Sequence, residues 1–131
     1  MEALAMQTPD ERPKGFLQLC ADKRYHRKTM KAFENVTGLG EEDYWIEASA
    51  GGAPAFGYKT KTAEFAYENG AVHMGWAAHG DECGGFPGAT DQEIAAKLDA
   101  ILVQREINFP AATHYLFFGA SGIVVQVVPG D

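Results

Sequence analysis

Residues 73 to 88 read HMGWAAHGDECGGFPG. An apolar, strand-like run breaks here into a polar, glycine-rich turn carrying His79, Asp81, Glu82 and Cys83, the pattern of a buried strand that ends at a site. LCADKR, from Leu19 to Arg24, has the same form: an apolar run stops at a cysteine and turns polar. Cys20 and Cys83 are the chain's two cysteines, and each stands where a strand is predicted to end.

Outward from these two strand ends, the chain alternates. Gly15 to Ala21 is a short apolar run suited to a buried strand. Lys23 to Thr37 then sets Met30, Phe33 and Val36 at roughly helical spacing before Gly38 as a stop. Tyr44 to Ala50, aromatic and β-branched at its start, predicts a second strand ending in a loop at Gly51, Gly52 and Pro54. Helix formers from Thr60 to Asn69 precede a third strand, Ala71 to Ala78. Thr90 and Glu93 have capping-box spacing, and Ile94, Leu98, Ile101 and Leu102 form one apolar helix face running to about Ile107. After Pro110, YLFFGA and IVVQVV are two β-type runs, a hairpin or one bent strand. Residues 1 to 13, with two prolines, are a frayed tail or an arm that packs on another subunit.

Strands alternating with helices predict an α/β fold: a mostly parallel sheet flanked by helices, with a possible antiparallel C-terminal strand. Ligands in such sheets bind beyond the carboxyl ends of the strands. With strand order 2-1-3-4, the first and third strands are neighbours about 4.8 Å apart. Cys20 and His79 then share one end of the sheet.

The chain of 131 residues, 46% hydrophobic, suits one domain with a real core. No run approaches the roughly eighteen apolar residues of a membrane span, and the N-terminus lacks the order of a signal peptide. A cytoplasmic protein with reduced thiols is expected. The net charge of −7 repels phosphate backbones. The basic cluster of Lys23, Arg24, Arg27, Lys28 and Lys31 falls on one predicted helix and reads as a solvated face. Nucleic acid and membrane are therefore not expected partners.

Cys20, His79 and Cys83 supply two thiolates and one imidazole, the ligand set of a zinc site with its fourth position open. A Cys20–Cys83 disulfide is the rival reading, and thiol chemistry without metal, with Arg24 lowering a thiol pKa, a third. If the first strand persists through residue 24, Cys20, Asp22 and Arg24 project to one side. Asp22 then accepts hydrogen bonds from Arg24 and a water, or becomes the fourth ligand itself. Its plainer role is N-cap of the following helix.

Cys20-Ala21-Asp22-Lys23-Arg24 resembles the C-x-D-x-R motif of the β-class carbonic anhydrases, and His79 through Cys83 with Gly84 resembles their second metal motif. Motif separation, the Ala50-Gly51 loop and the element order extend the likeness over roughly residues 15 to 125. The resemblance implies catalytic Zn2+ on Cys20, His79 and Cys83, with Asp22 and Arg24 as the dyad controlling the fourth position. It further implies reversible hydration of carbon dioxide to bicarbonate by a zinc-bound hydroxide, and a homodimer or higher homo-oligomer. Alternatives on the same fold are a non-catalytic zinc- or anion-binding protein, or a hydrolase of a related molecule such as carbonyl sulfide.

The chain departs from that pattern in three ways. Gly80, Asp81 and Glu82 put three residues between His79 and Cys83, where the family pattern H-x-x-C has two. The extra residue is expected to bulge the loop and re-aim Cys83, or to bring Glu82 near the metal. Ala48 and Ser49 stand where the family usually has an arginine and an asparagine, which removes a cation. The chain is also short for the family, without much of the terminal helical material that builds subunit contacts and the carbon dioxide pocket. Phe56, Tyr58, Trp76 and Phe86 are the aromatics available to wall a pocket.

Overall fold

The structure, a computed structural model, describes residues 12–128. All but the last two residues of the expected N-terminal arm lie outside that range.

Five strands form one sheet, and their order is β2-β1-β3-β4-β5. They are β1 (Gly15–Cys20), β2 (Tyr44–Ser49), β3 (His73–His79), β4 (Thr113–Ala120) and β5 (Ile123–Val127). The first four run parallel, and β5 returns antiparallel to β4. YLFFGA and IVVQVV therefore form a hairpin, turned at Ser121 and Gly122. The helices are α1 (His26–Thr37), α2 (Lys61–Glu68) and α3 (Asp91–Asn108), with a short 3-10 turn at Ala53–Ala55.

The predicted elements all form, with ends shifted by a few residues for local reasons. Helix α1 begins at His26 rather than Lys23, because Asp22 to Tyr25 make a turn whose carbonyl at Asp22 accepts the N–H of Tyr25 and His26. It ends where Gly38 adopts a left-handed backbone, as the sequence suggests. Thr90 and Glu93 cap α3 reciprocally. Asp22 does not cap α1: the N-cap is Tyr25, which makes no side-chain cap bond.

Packing follows from the sheet having two covered faces. β1 is buried along its whole length, as a central parallel strand must be when helices lie on both sides. Phe16 and Cys20 face the layer of α2, α3 and the 3-10 turn, with Met74, Trp76, Ile94, Leu98 and Leu116. Leu17 and Leu19 face α1, where Phe33 is fully buried with Ala77 and Phe117. Each such large side chain contributes roughly 1.5–3 kcal/mol by leaving water. Among the described residues, no helix is long and apolar enough to cross a membrane.

Register then sets the site. Gly15 to Gln18 of β1 pair with His73 to Trp76 of β3, so the carboxyl ends of the two strands lie side by side. Cys20 and His79 end those strands.

Candidate metal site

Cys20, His79 and Cys83 converge: one ligand atom from each lies within 4.8 Å of the others, and all three residues are buried. His79 Nε2 stands 3.2 Å from Cys20 Sγ. Neither cysteine is in a disulfide. A tetrahedral zinc, with bonds of about 2.3 Å to sulfur and 2.0–2.1 Å to nitrogen, separates its ligand atoms by roughly 3.5–3.8 Å. The residues present fit such an ion in chemistry and spacing.

The imidazole is oriented for it. His79 Nδ1 lies 2.6 Å from the Gly80 carbonyl, an obligatory acceptor, so Nδ1–H donates to it and Nε2 faces the sulfur atoms. Tyr25 stacks on the other side of the ring, centroids 5.0 Å apart. That contact depends on Gly119 of β4, where a Cβ would meet the Tyr25 ring at 2.6 Å.

Ionisation of the two thiols is asymmetric. Burial disfavours the Cys20 thiolate, but hydrogen bonds from His79 and from the backbone of Asp22 and Gly51 prevail and bring its pKa down to about 7. Burial and the neighbouring Cys20 push Cys83 up. For His79, burial favours the neutral ring, yet Cys20, the Gly80 carbonyl and Asp22 together raise its pKa.

Asp22 and Arg24 reach the site from a turn. β1 stops at Cys20, so the expectation that all three side chains alternate along one extended strand fails. Asp22 instead folds its carboxylate back onto Arg24: Oδ1 accepts the Arg24 backbone N–H at 2.8 Å, and the guanidinium holds both oxygens at 2.8–3.2 Å. This pairing holds the Asp22 carboxyl down at about 2. Asp22 Oδ2 is left 3.6 Å from His79 Nε2. The remaining guanidinium contacts go to the carbonyls of Asp81 and Glu82, at 2.9 and 3.2 Å.

No family model and no curated protein matches the sequence. Among solved structures, a carbonic anhydrase from Streptococcus mutans aligns with a TM-score of 0.52, covering 89% of this chain and 84% of that one at 17% identity. The fold is carbonic-anhydrase-like. At that identity the likeness carries architecture alone, and the chemistry rests on the residues of this chain.

Within this carbonic-anhydrase-like fold, the longer loop does not turn Cys83 away. Asp81 and Glu82 take left-handed backbone, φ 54° and 60°, and absorb the extra residue so that Cys83 still points inward. Glu82 is exposed and is not one of the three grouped ligand residues. Gly80 lets the loop pass close to Asp91: a Cβ there would meet the Asp91 carboxylate at 2.3 Å and displace it.

The aromatics divide. Trp76 is core, stacked on Phe109 and His114. Phe86 packs against the core near Gly51, whereas Phe56 and Tyr58 line a separate cavity of about 320 Å³ beside α3. A larger cavity of about 470 Å³, lined by Glu82, Cys83, Gly84, Pro87, Gly88 and Ala89, opens onto Cys83. Sequence reading missed Tyr25, Ser121 and Asp91 as supports of the site. No local pattern marks them, because each acts through a partner distant in sequence.

Proposed function

We propose that the protein binds zinc through Cys20, His79 and Cys83 and catalyses the reversible hydration of carbon dioxide, as a short, divergent relative of the β-class carbonic anhydrases. The observation that carries this reading is the convergence of two cysteine sulfurs and an oriented imidazole beside a carboxylate already held by an arginine. When bound, zinc supplies Lewis acidity that brings the deprotonation of water down to about neutral pH.

The chain's own residues do the rest. Two thiolates balance the charge of the ion, so a neutral substrate meets a site without excess charge. Asp22, ionised at any pH of interest, is an acceptor that can orient a water molecule through Oδ2. Arg24 keeps that carboxylate from swinging inward as a further ligand. The cavity beside Cys83 is the approach for a small molecule.

A second reading, metal binding without catalysis, is favoured by one observation. Ala48 and Ser49 bring no cation to the loop, and Arg24 is engaged by Asp22 and two carbonyls, which leaves little to handle a product anion. Stopped-flow hydration measured with zinc content on the same samples separates the two: zinc with turnover supports the enzyme, and zinc without turnover supports the binder.

Assembly and location belong to the same proposal: a cytoplasmic homodimer or larger homo-oligomer with no nucleic-acid or membrane partner. In its support, β5 is an edge strand with Ile123 and Val125 exposed. Such an apolar edge invites cover by another copy.

A further inference from the structure

The loop from His79 to Cys83 is one residue longer than the motif it resembles, and its geometry turns on Asp81. Two successive non-glycine residues, Asp81 and Glu82, take left-handed backbone, which L side chains disfavour. Something must hold them there. Four hydrogen bonds converge on Asp81. Its N–H donates to Asp91 Oδ1 at 2.8 Å. Its carbonyl accepts from Arg24 Nη1 at 2.9 Å. Its Oδ2 accepts the Ser121 N–H at 2.8 Å and the Tyr25 hydroxyl. That hydroxyl in turn accepts the Gly122 N–H at 3.1 Å. The start of α3, the turn after β1 and the β4–β5 hairpin are all tied to this one residue.

Glu82 offers a contrast within the same loop. Its side chain is exposed, and what it gives the site is a backbone carbonyl. The side-chain hold on the loop comes from Asp81.

We propose that Asp81 is a positioning residue. Its carboxylate, clamped by Tyr25 and Ser121, holds the lengthened loop in the conformation that delivers Cys83 to Cys20 and His79, while its carbonyl seats Arg24 against Asp22. The effect on metal affinity rests on the zinc reading above. The placement of Cys83 does not.

The variants separate backbone from side chain. Asp81→Gly keeps the left-handed backbone free of cost and removes the carboxylate. Asp81→Asn keeps an oxygen that accepts both donors. Tyr25→Phe keeps the ring on His79 and removes the hydroxyl. In metal-free protein, labelling by a neutral maleimide is followed separately at Cys20 and Cys83 by peptide mass spectrometry. Loss of hydrogen bonds worth about 1.4 kcal/mol or more predicts at least ~10-fold faster labelling of Cys83 in Asp81→Gly. Asp81→Asn should stay near the parent rate, and Tyr25→Phe should also unmask Cys83. If Asp81→Gly does not fold, Tyr25→Phe decides the matter. On loading, zinc affinity by chelator competition should fall by roughly 10–100-fold in Asp81→Gly. The cobalt-substituted form should lose part of its thiolate-to-metal absorption, with both restored in Asp81→Asn.

Equal Cys83 labelling in the parent, Asp81→Gly and Tyr25→Phe overturns the role of Asp81, even where zinc binds normally. A parent that takes up no zinc while Asp81→Gly unmasks Cys83 instead removes the zinc reading and upholds that role.

Discussion

Arg24 grips both carboxylate oxygens of Asp22 and leaves Asp22 Oδ2 3.6 Å from His79 Nε2. An exposed ion pair of this kind contributes little to stability. Its consequence is positional: the carboxylate stands beside the candidate metal ligands and is held on Arg24. In Arg24→Ala that restraint is gone. The expected outcome is retained zinc, with carbon dioxide hydration reduced by at least ~10²-fold as Asp22 swings inward. Stopped-flow rates for the parent, Arg24→Ala and Asp22→Asn across neutral pH check it. Equal rates in parent and Arg24→Ala would end the gating role.

Asp22 also sets an acid limit. Its carboxyl lies near 2, well below the ordinary 3.8, mainly because the Arg24 side chain and then its backbone N–H favour the charged form. A group depressed on folding adds stability above its ordinary pKa and loses it as pH falls through the folded value. Urea midpoints measured between pH 5 and pH 2 should therefore decline more steeply in the parent than in Asp22→Asn. Parallel curves would show that the pair adds nothing measurable to stability in this range.

One zinc per chain is expected in protein purified without chelator, with Cys83→Ala losing it. Metal analysis paired with thiol titration reads this directly. Both thiols should be protected while the metal is bound and free once it is removed. A chain that stays metal-free after incubation with excess zinc, with both thiols reactive, contradicts the metal site.

Phe33 is fully buried between α1 and the sheet, with the rings of Tyr44, Tyr115 and Phe117 around it. Its truncation leaves a cavity that the closely packed strands cannot close. Phe33→Ala should cost about 3–5 kcal/mol in denaturant unfolding, while Cys20 and Cys83, which pack on the other face of the sheet, keep their spacing. A loss under 1 kcal/mol would mean that this face is packed otherwise.

Light scattering should give the mass of a dimer or larger species at tens of micromolar, with Val125→Lys shifting it toward monomer. Val125 is half exposed on the edge strand, and a charge there opposes strand-to-strand pairing without touching the core. A monomeric parent would place the β5 edge in solvent.

Much of the fold was legible because its signals are local. Period, stop residues and capping pairs such as Thr90 with Glu93 depend on neighbours a few positions away, and they named each strand and helix to within a few residues. The run at β1, apolar apart from Gln18, pointed to a buried strand, because a strand covered on both faces has little room for polar side chains. Cys20, His79 and Cys83 were legible as a candidate ligand set by residue type and by their places at strand ends.

What only the tertiary structure decided is how those ends are supported. The sequence could not say that β1 stops at Cys20 and passes Asp22 and Arg24 into the site on a turn, since a turn and a continuing strand share the same few residues. Nor could it say whether the extra residue before Cys83 spoils the site. That depends on Tyr25, Asp91 and Ser121 meeting Asp81, at separations of 56, 10 and 40 residues. Contacts of that range exist only after the sheet has brought its carboxyl ends together, so no pattern of neighbours along the chain records them.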